Sequence, residues 1–203
     1  MACNLTKGRT LSCTQAIGGI KRVFFSLWAK NYWSSGLTYN ATDVYQIDGF
    51  DASDGDTTMV RFDTRPNLSS MTVTTANGDA TAGTPAFYDQ SCELVLQKID
   101  TLSIPSIKEL GDSRTICWVL DMNDRVWVLG LKHGCRVTGG TIVTGVARGD
   151  MSGFTISVTA QEGEPLYAVK WSASDTELTA NYPFAQLTNV GSKLTVNASV
   201  TPL

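Results

Sequence analysis

Residues 154–160 alternate without a break, Phe154, Ile156 and Val158 against Thr155, Ser157 and Thr159. A period of two puts the apolar set on one face and the hydroxyls on the other, the pattern of a half-buried β-strand. Strand signals of this kind recur along the chain. Residues 20–28 carry Val23, Phe24, Phe25, Leu27 and Trp28, and shorter runs follow at 44–47, 59–62 and 70–75. Residues 141–147, 167–171 and 194–200 read as later strands. Residues 115–120 and 125–129 form a hairpin around Asp121-Met122-Asn123-Asp124, with Val126 and Val128 on one face and Trp127 and Leu129 on the other.

Glycine and polar pairs punctuate these runs. Gly18-Gly19 breaks the chain before the first strand, and Asp48-Gly49 and Asp54-Gly55 read as turns. Residues 31–40 read as an aromatic-containing loop. Asn77-Gly78 is a strong hairpin signal, with a second arm running through Thr84-Pro85 into 87–99. Gly130, Gly134 and Gly139-Gly140 mark one loop, and residues 148–153 a second. One helix is expected over 101–110, with Ser103 as cap, Pro105 in the first turn and Gly111 as a left-handed stop. About two turns of helix do not persist alone in water, so Ile104, Ile107 and Leu110 would dock on a sheet. The fold class is therefore mainly β, a sandwich or barrel-like arrangement with one short flanking helix.

Chemistry is sparse. The 203 residues hold one histidine, His133, and no phosphate-binding glycine loop or nucleophile elbow. Five cysteines at 3, 13, 92, 117 and 135 form no CxxC and no disulfide framework, so they are read as free thiols packed as small hydrophobes. Asp48, Asp51, Asp54 and Asp56 crowd one stretch without the spacing of a calcium loop. Phe24, Phe25, Trp28, Tyr32 and Trp33 are read as packing residues, with a sugar-stacking face as the alternative. No catalytic residue, cofactor or metal is expected, and neither His133 nor any cysteine is assigned a reaction.

Only 17% of the residues are charged, against about 25% in an average soluble domain. Thr, Ser, Asn and Gly must cover the surface instead, which suits a chain that buries its exterior against copies of itself. The net charge of −3 and scattered basic residues give no pull toward nucleic acid or anionic membrane. No run has the length of a membrane-spanning helix, and residues 1–9 lack the apolar core of a signal peptide. Synthesis and retention in a cytoplasm until assembly is the expectation.

Four segments carry a resemblance: Trp127-Val128-Leu129-Gly130, Thr138-Gly139-Gly140-Thr141, Gly149-Asp150-Met151-Ser152-Gly153-Phe154-Thr155 and Glu162-Gly163-Glu164-Pro165. In this order they resemble the tail tube proteins of tailed bacteriophages, as do Cys3-Asn4-Leu5-Thr6-Lys7-Gly8-Arg9 and Ile17-Gly18-Gly19-Ile20-Lys21. The resemblance implies a virion structural protein whose subunits form rings of six, stacked into a tube that conducts DNA. Its partners would be further copies and other virion tail proteins, with DNA passing non-specifically and no membrane contact. Its location would be the virion tail, assembled in the host cytoplasm. Residues 1–173 would form the tube-like domain and 174–203 a C-terminal extension or extra strands. The glycine-rich loops 130–141 and 147–154 would then touch neighbouring subunits or rings, with Gly130, Gly134, Gly139, Gly140, Thr141, Gly149, Asp150 and Gly153 as the candidate contact residues. The alternative is a carbohydrate- or protein-binding β-sandwich on the virion surface, a capsid decoration or an adhesin. A third reading is an enzyme with a dispersed carboxylate site.

Overall fold

A computed structural model describes residues 16–28, 36–51, 57–65, 67–76, 86–101, 103–179, 181–190 and 194–197. Twelve described strands form two sheets, with one described helix. The strands are β1 Ile20–Leu27, β2 Leu37–Tyr39, β3 Gln46–Phe50, β4 Thr57–Asp63, β5 Ser70–Ala76 and β6 Phe87–Gln97. After helix α1, Ser103–Asp112, come β7 Thr115–Asp121, β8 Val126–Leu129, β9 Arg136–Val143, β10 Gly153–Glu162, β11 Tyr167–Val169 and β12 Leu194–Asn197. The mainly-β fold with one short helix is thus present, as two sheets rather than a closed barrel.

The large sheet runs β12-β4-β1-β7-β8-β11-β3-β2 and the small one β5-β6-β10-β9. Strand β7 sits inside the large sheet and is buried on both faces. Its even residues Ile116, Trp118 and Leu120 enter one core and its odd residues Cys117 and Val119 the other. The second core lies between the sheets, where Cys117, Val119, Val23 and Phe25 meet Cys92, Leu94, Ile156 and Val158. The first core joins Met59 near one end of the large sheet to Leu37 and Phe50 at the other. Residues that far apart in strand order share a core only if the sheet curls around it.

Residues 182–190 pack into that curl. Phe184 is fully buried, edge-on to Phe24 at 5.2 Å and to Trp118 at 5.9 Å, with Leu187 and Val190 beside it. Strand β12 pairs in parallel with β4. The Trp118 indole donates to Ser26 Oγ at 3.0 Å, so the buried ring keeps a polar partner.

Several local expectations change. Asp48-Gly49 lies inside β3, because Asn40 and Gln46 donate to the Asp48 carboxylate and Gly49 faces Thr188, whose Oγ1 stands 1.8 Å from where a Cβ would be. Residues 37–39, read as loop, form β2 against β3. Gly111 lies within α1, which runs on to Asp112, and has no left-handed φ. Asp100 supplies the cap instead, accepting from both the backbone and the hydroxyl of Ser103. Leu110 and Ile107 dock while Ile104 is exposed. Strand β5 pairs with β6 from Ala76↔Phe87 onward, so the hairpin exists, but its Asn77-Gly78 turn lies outside the described residues. So do Asp54-Gly55, Cys3, Cys13, Tyr32, Trp33 and the motif at 3–9.

Because Phe184 closes the curled sheet, Phe184→Ala should cost about 3–5 kcal/mol. Urea unfolding followed by tryptophan fluorescence measures this. A loss below about 1 kcal/mol would mean that the segment around it is an appendage.

Candidate functional site

The candidate contact residues divide by what surrounds them. Gly130 and Gly134 both have positive φ, at 66° and 75°. A Cβ on Gly130 would lie 2.4 Å from Cys135 Sγ, and one on Gly134 would lie 2.6 Å from Arg114 Cγ. Gly153 is buried at the start of β10, where a Cβ would lie 2.1 Å from the Leu96 carbonyl oxygen. These three are glycine for reasons inside the subunit.

Gly139 and Gly140 lie not in a loop but in β9, which spans 136–143 rather than 141–147. Gly140 pairs with Ile156 and its Cβ would lie 2.9 Å from the Thr155 carbonyl oxygen, whereas Gly139 has open space around it. Thr141 is exposed and pairs with Thr155. Gly149 is exposed and unobstructed. Asp150 organises the β9–β10 connection, its Oδ2 accepting the Val146 N–H at 2.8 Å and the Ala147 N–H at 2.7 Å. Those bonds, Ala147 first, hold its carboxyl below the usual carboxylate range. Gly145, at φ 73°, makes the turn.

The small sheet therefore offers a distinct outer face. Register places Ser70, Thr72 and Thr74 beside Glu93, Ser91 and Asp89, and those beside Ser157, Thr159 and Gln161. Strand β9 adds Thr141 and Arg136. The same face also carries Ala76, Phe87, Val95 and Val143 toward its ends, and is otherwise glycine, hydroxyl, amide and charge. Its two edge strands, β5 and β9, have no further strand partner among the described residues.

A second polar constellation was missed in sequence. Glu162 is only 3% exposed, and its Oε1 accepts the N–H groups of Lys132 and His133 at 3.0 and 2.8 Å. Its Oε2 lies 2.9 Å from His133 Nδ1, on a ring that is itself exposed. Buried Gln90 accepts the Gly130 N–H and donates to the carbonyls of Glu164 and Pro165. Together they satisfy the backbone of the tight 130–135 turn. The signal was available: Glu162 continues the buried even phase of β10, and Gln90 the phase of Cys92 and Leu94. An oriented histidine is half of a hydrolytic relay. No described serine, threonine or cysteine is hydrogen-bonded to it.

Cys92, Cys117 and Cys135 are free, buried and mutually close. Burial pushes the Cys117 and Cys135 thiols up, which suits packing rather than nucleophilic attack. No protein-family model, curated protein or solved structure matches the chain.

Two outcomes follow from this geometry. Glu162→Ala, which strands the turn's N–H groups, should cost about 2–4 kcal/mol in urea unfolding, and Glu162→Gln less because an acceptor remains. For Asp150 the folded value is depressed, so its contribution is complete above the ordinary carboxylate value of 3.8 and disappears as pH falls through the lower folded value. The Val146 and Ala147 amide resonances should report this in an NMR pH titration. If both amides titrate at an unshifted carboxylate value, the two hydrogen bonds are absent in solution.

Proposed function

We propose that this chain is a structural subunit that self-assembles into stacked rings of the tail-tube kind, builds a conduit for DNA in a virion tail, and performs no reaction. One observation carries this reading. The small sheet pairs a largely polar outer face with two edge strands, β5 and β9, that have no further strand partner among the described residues.

Unpaired edges invite strand addition, and β5 of one subunit can extend the sheet from β9 of the next. Repeated around an axis, such a heterologous contact closes a ring whose inner wall is the small sheet. The wall would then present Thr72, Thr74, Ser91, Thr155, Ser157 and Thr159 to the channel, with acids Asp89 and Glu93 against the single base Arg136. A wall poor in cations lets a phosphate backbone slide instead of binding it. The large sheet and α1 lie behind, supplying a rigid backing through the inter-sheet core.

The direct test is negative-stain microscopy of the purified chain over a range of concentrations. Rings with a central channel, or tubes, are expected; a chain that stays monomeric throughout rejects the reading. Gly139→Glu adds a side chain where nothing stands within 4 Å. It should leave unfolding stability within about 0.5 kcal/mol and still shorten or abolish tubes. Gly140→Glu is a poor probe, since it collides with the Thr155 carbonyl inside the subunit.

A further inference from the structure

The connection between β9 and β10 ends in an apolar knob. Val146 is fully exposed and Ile142 is 62% exposed, although both are branched aliphatic side chains. The knob is preorganised, since Asp150 binds the Val146 and Ala147 N–H groups and Gly145 makes the turn. Holding a bare valine outward on an ordered loop costs hydration in the free subunit and gains only when another surface covers it.

A surface of matching character lies elsewhere on the same chain. Between α1 and strands β1 and β4 runs an open groove of about 360 Å³, floored by Phe25, Val60, Phe62 and Leu110. Leu27 stands at it, 67% exposed, and Glu109 lines it from the helix. The space accommodates a branched aliphatic side chain. The knob carries the complementary charge, because Arg148 is exposed two residues beyond Val146.

We propose that the Val146 knob of one subunit docks into the α1–β1–β4 groove of a second copy, with Arg148 of the first against Glu109 of the second. Knob and groove are different patches of one chain, so within the ring-forming arrangement the contact is heterologous and repeats from subunit to subunit. The proposal rests on the self-assembly reading and adds to it a second contact, made by the β9–β10 connection beyond the end of edge strand β9. Apolar insertion supplies the attraction, and the Arg148–Glu109 pair selects orientation.

The experiment compares the full-length chain with Val146→Asp, Arg148→Glu, Glu109→Arg and the double variant Glu109→Arg/Arg148→Glu. Sedimentation velocity and negative stain give the concentration at which half the protein is assembled, and circular dichroism checks folding. All three positions are exposed, so the variants are expected to fold. Val146→Asp and each single charge reversal should raise the half-assembly concentration by about tenfold or more, and the double reversal should return it to within about threefold of the parent. If the parent assembles and the variants match it, or if the double reversal restores nothing, the knob-and-groove contact is wrong while self-assembly stands. A parent chain that stays monomeric overturns both. Were Val146→Asp to misfold, the charge-reversal cycle alone decides.

Discussion

Strand β7 is buried on both faces, and the rest of the architecture follows from that constraint. A strand with no solvent face needs two cores, and its alternating residues divide between them: Ile116, Trp118 and Leu120 to one side, Cys117 and Val119 to the other. One side is closed by the small sheet. The other is closed by the curl of the large sheet around Phe184, so residues far apart in sequence come to share a single apolar interior. The edge-on contacts of Phe24 and Trp118 with Phe184 set how tightly that curl closes.

Polar groups buried beside these cores have defined work. Gln90 and Glu162 stand on the inner face of the small sheet and take up the donors of the 130–135 turn, which Gly130 and Gly134 make too tight for other residues. The turn is thereby tied to the sheet it lies beside. Asp121 does similar work in the β7–β8 hairpin, accepting from Asn123, Arg125 and the Trp127 indole. Asp124 of the same turn takes the Tyr182 hydroxyl and the Lys21 ammonium, joining it to β1 and to the segment that carries Phe184. Such anchoring leaves a stiff frame on which two of the candidate contact glycines, Gly139 and Gly149, stand open on the small sheet and its β9–β10 connection. A stiff subunit suits assembly, because less conformational freedom is lost when a neighbour docks.

Much of the element order was legible from residues alone. The two-residue period of 154–160, the hairpin about 121–124 and the short helix expected over 101–110 depend on local side-chain pattern; the structure retains all three, with the helix at Ser103–Asp112. The errors fell where a distant partner overrides local chemistry. Asp48-Gly49 has the composition of a turn but is held in β3 by Asn40, Gln46 and the close approach of Thr188. Gly139-Gly140 has the composition of a loop but lies in β9, because β10 offers its backbone a continuous ladder.

Sequence by itself determined that the chain is mainly β and which faces of its strands are apolar; that the even phase of Ile156 and Val158 runs on to bury Glu162 came from the structure. Only the tertiary structure decided which strands neighbour one another, how far the large sheet curls, and that residues 184–190 belong to its core. The same holds for the surfaces. Val146 and Leu27 are ordinary core-type residues in the sequence, and their exposure, with Glu109 beside the groove and Arg148 beside the knob, exists only once the elements have packed. The physical reason is that periodicity is a property of neighbouring residues, whereas register, curl and exposure depend on contacts between residues far apart along the chain.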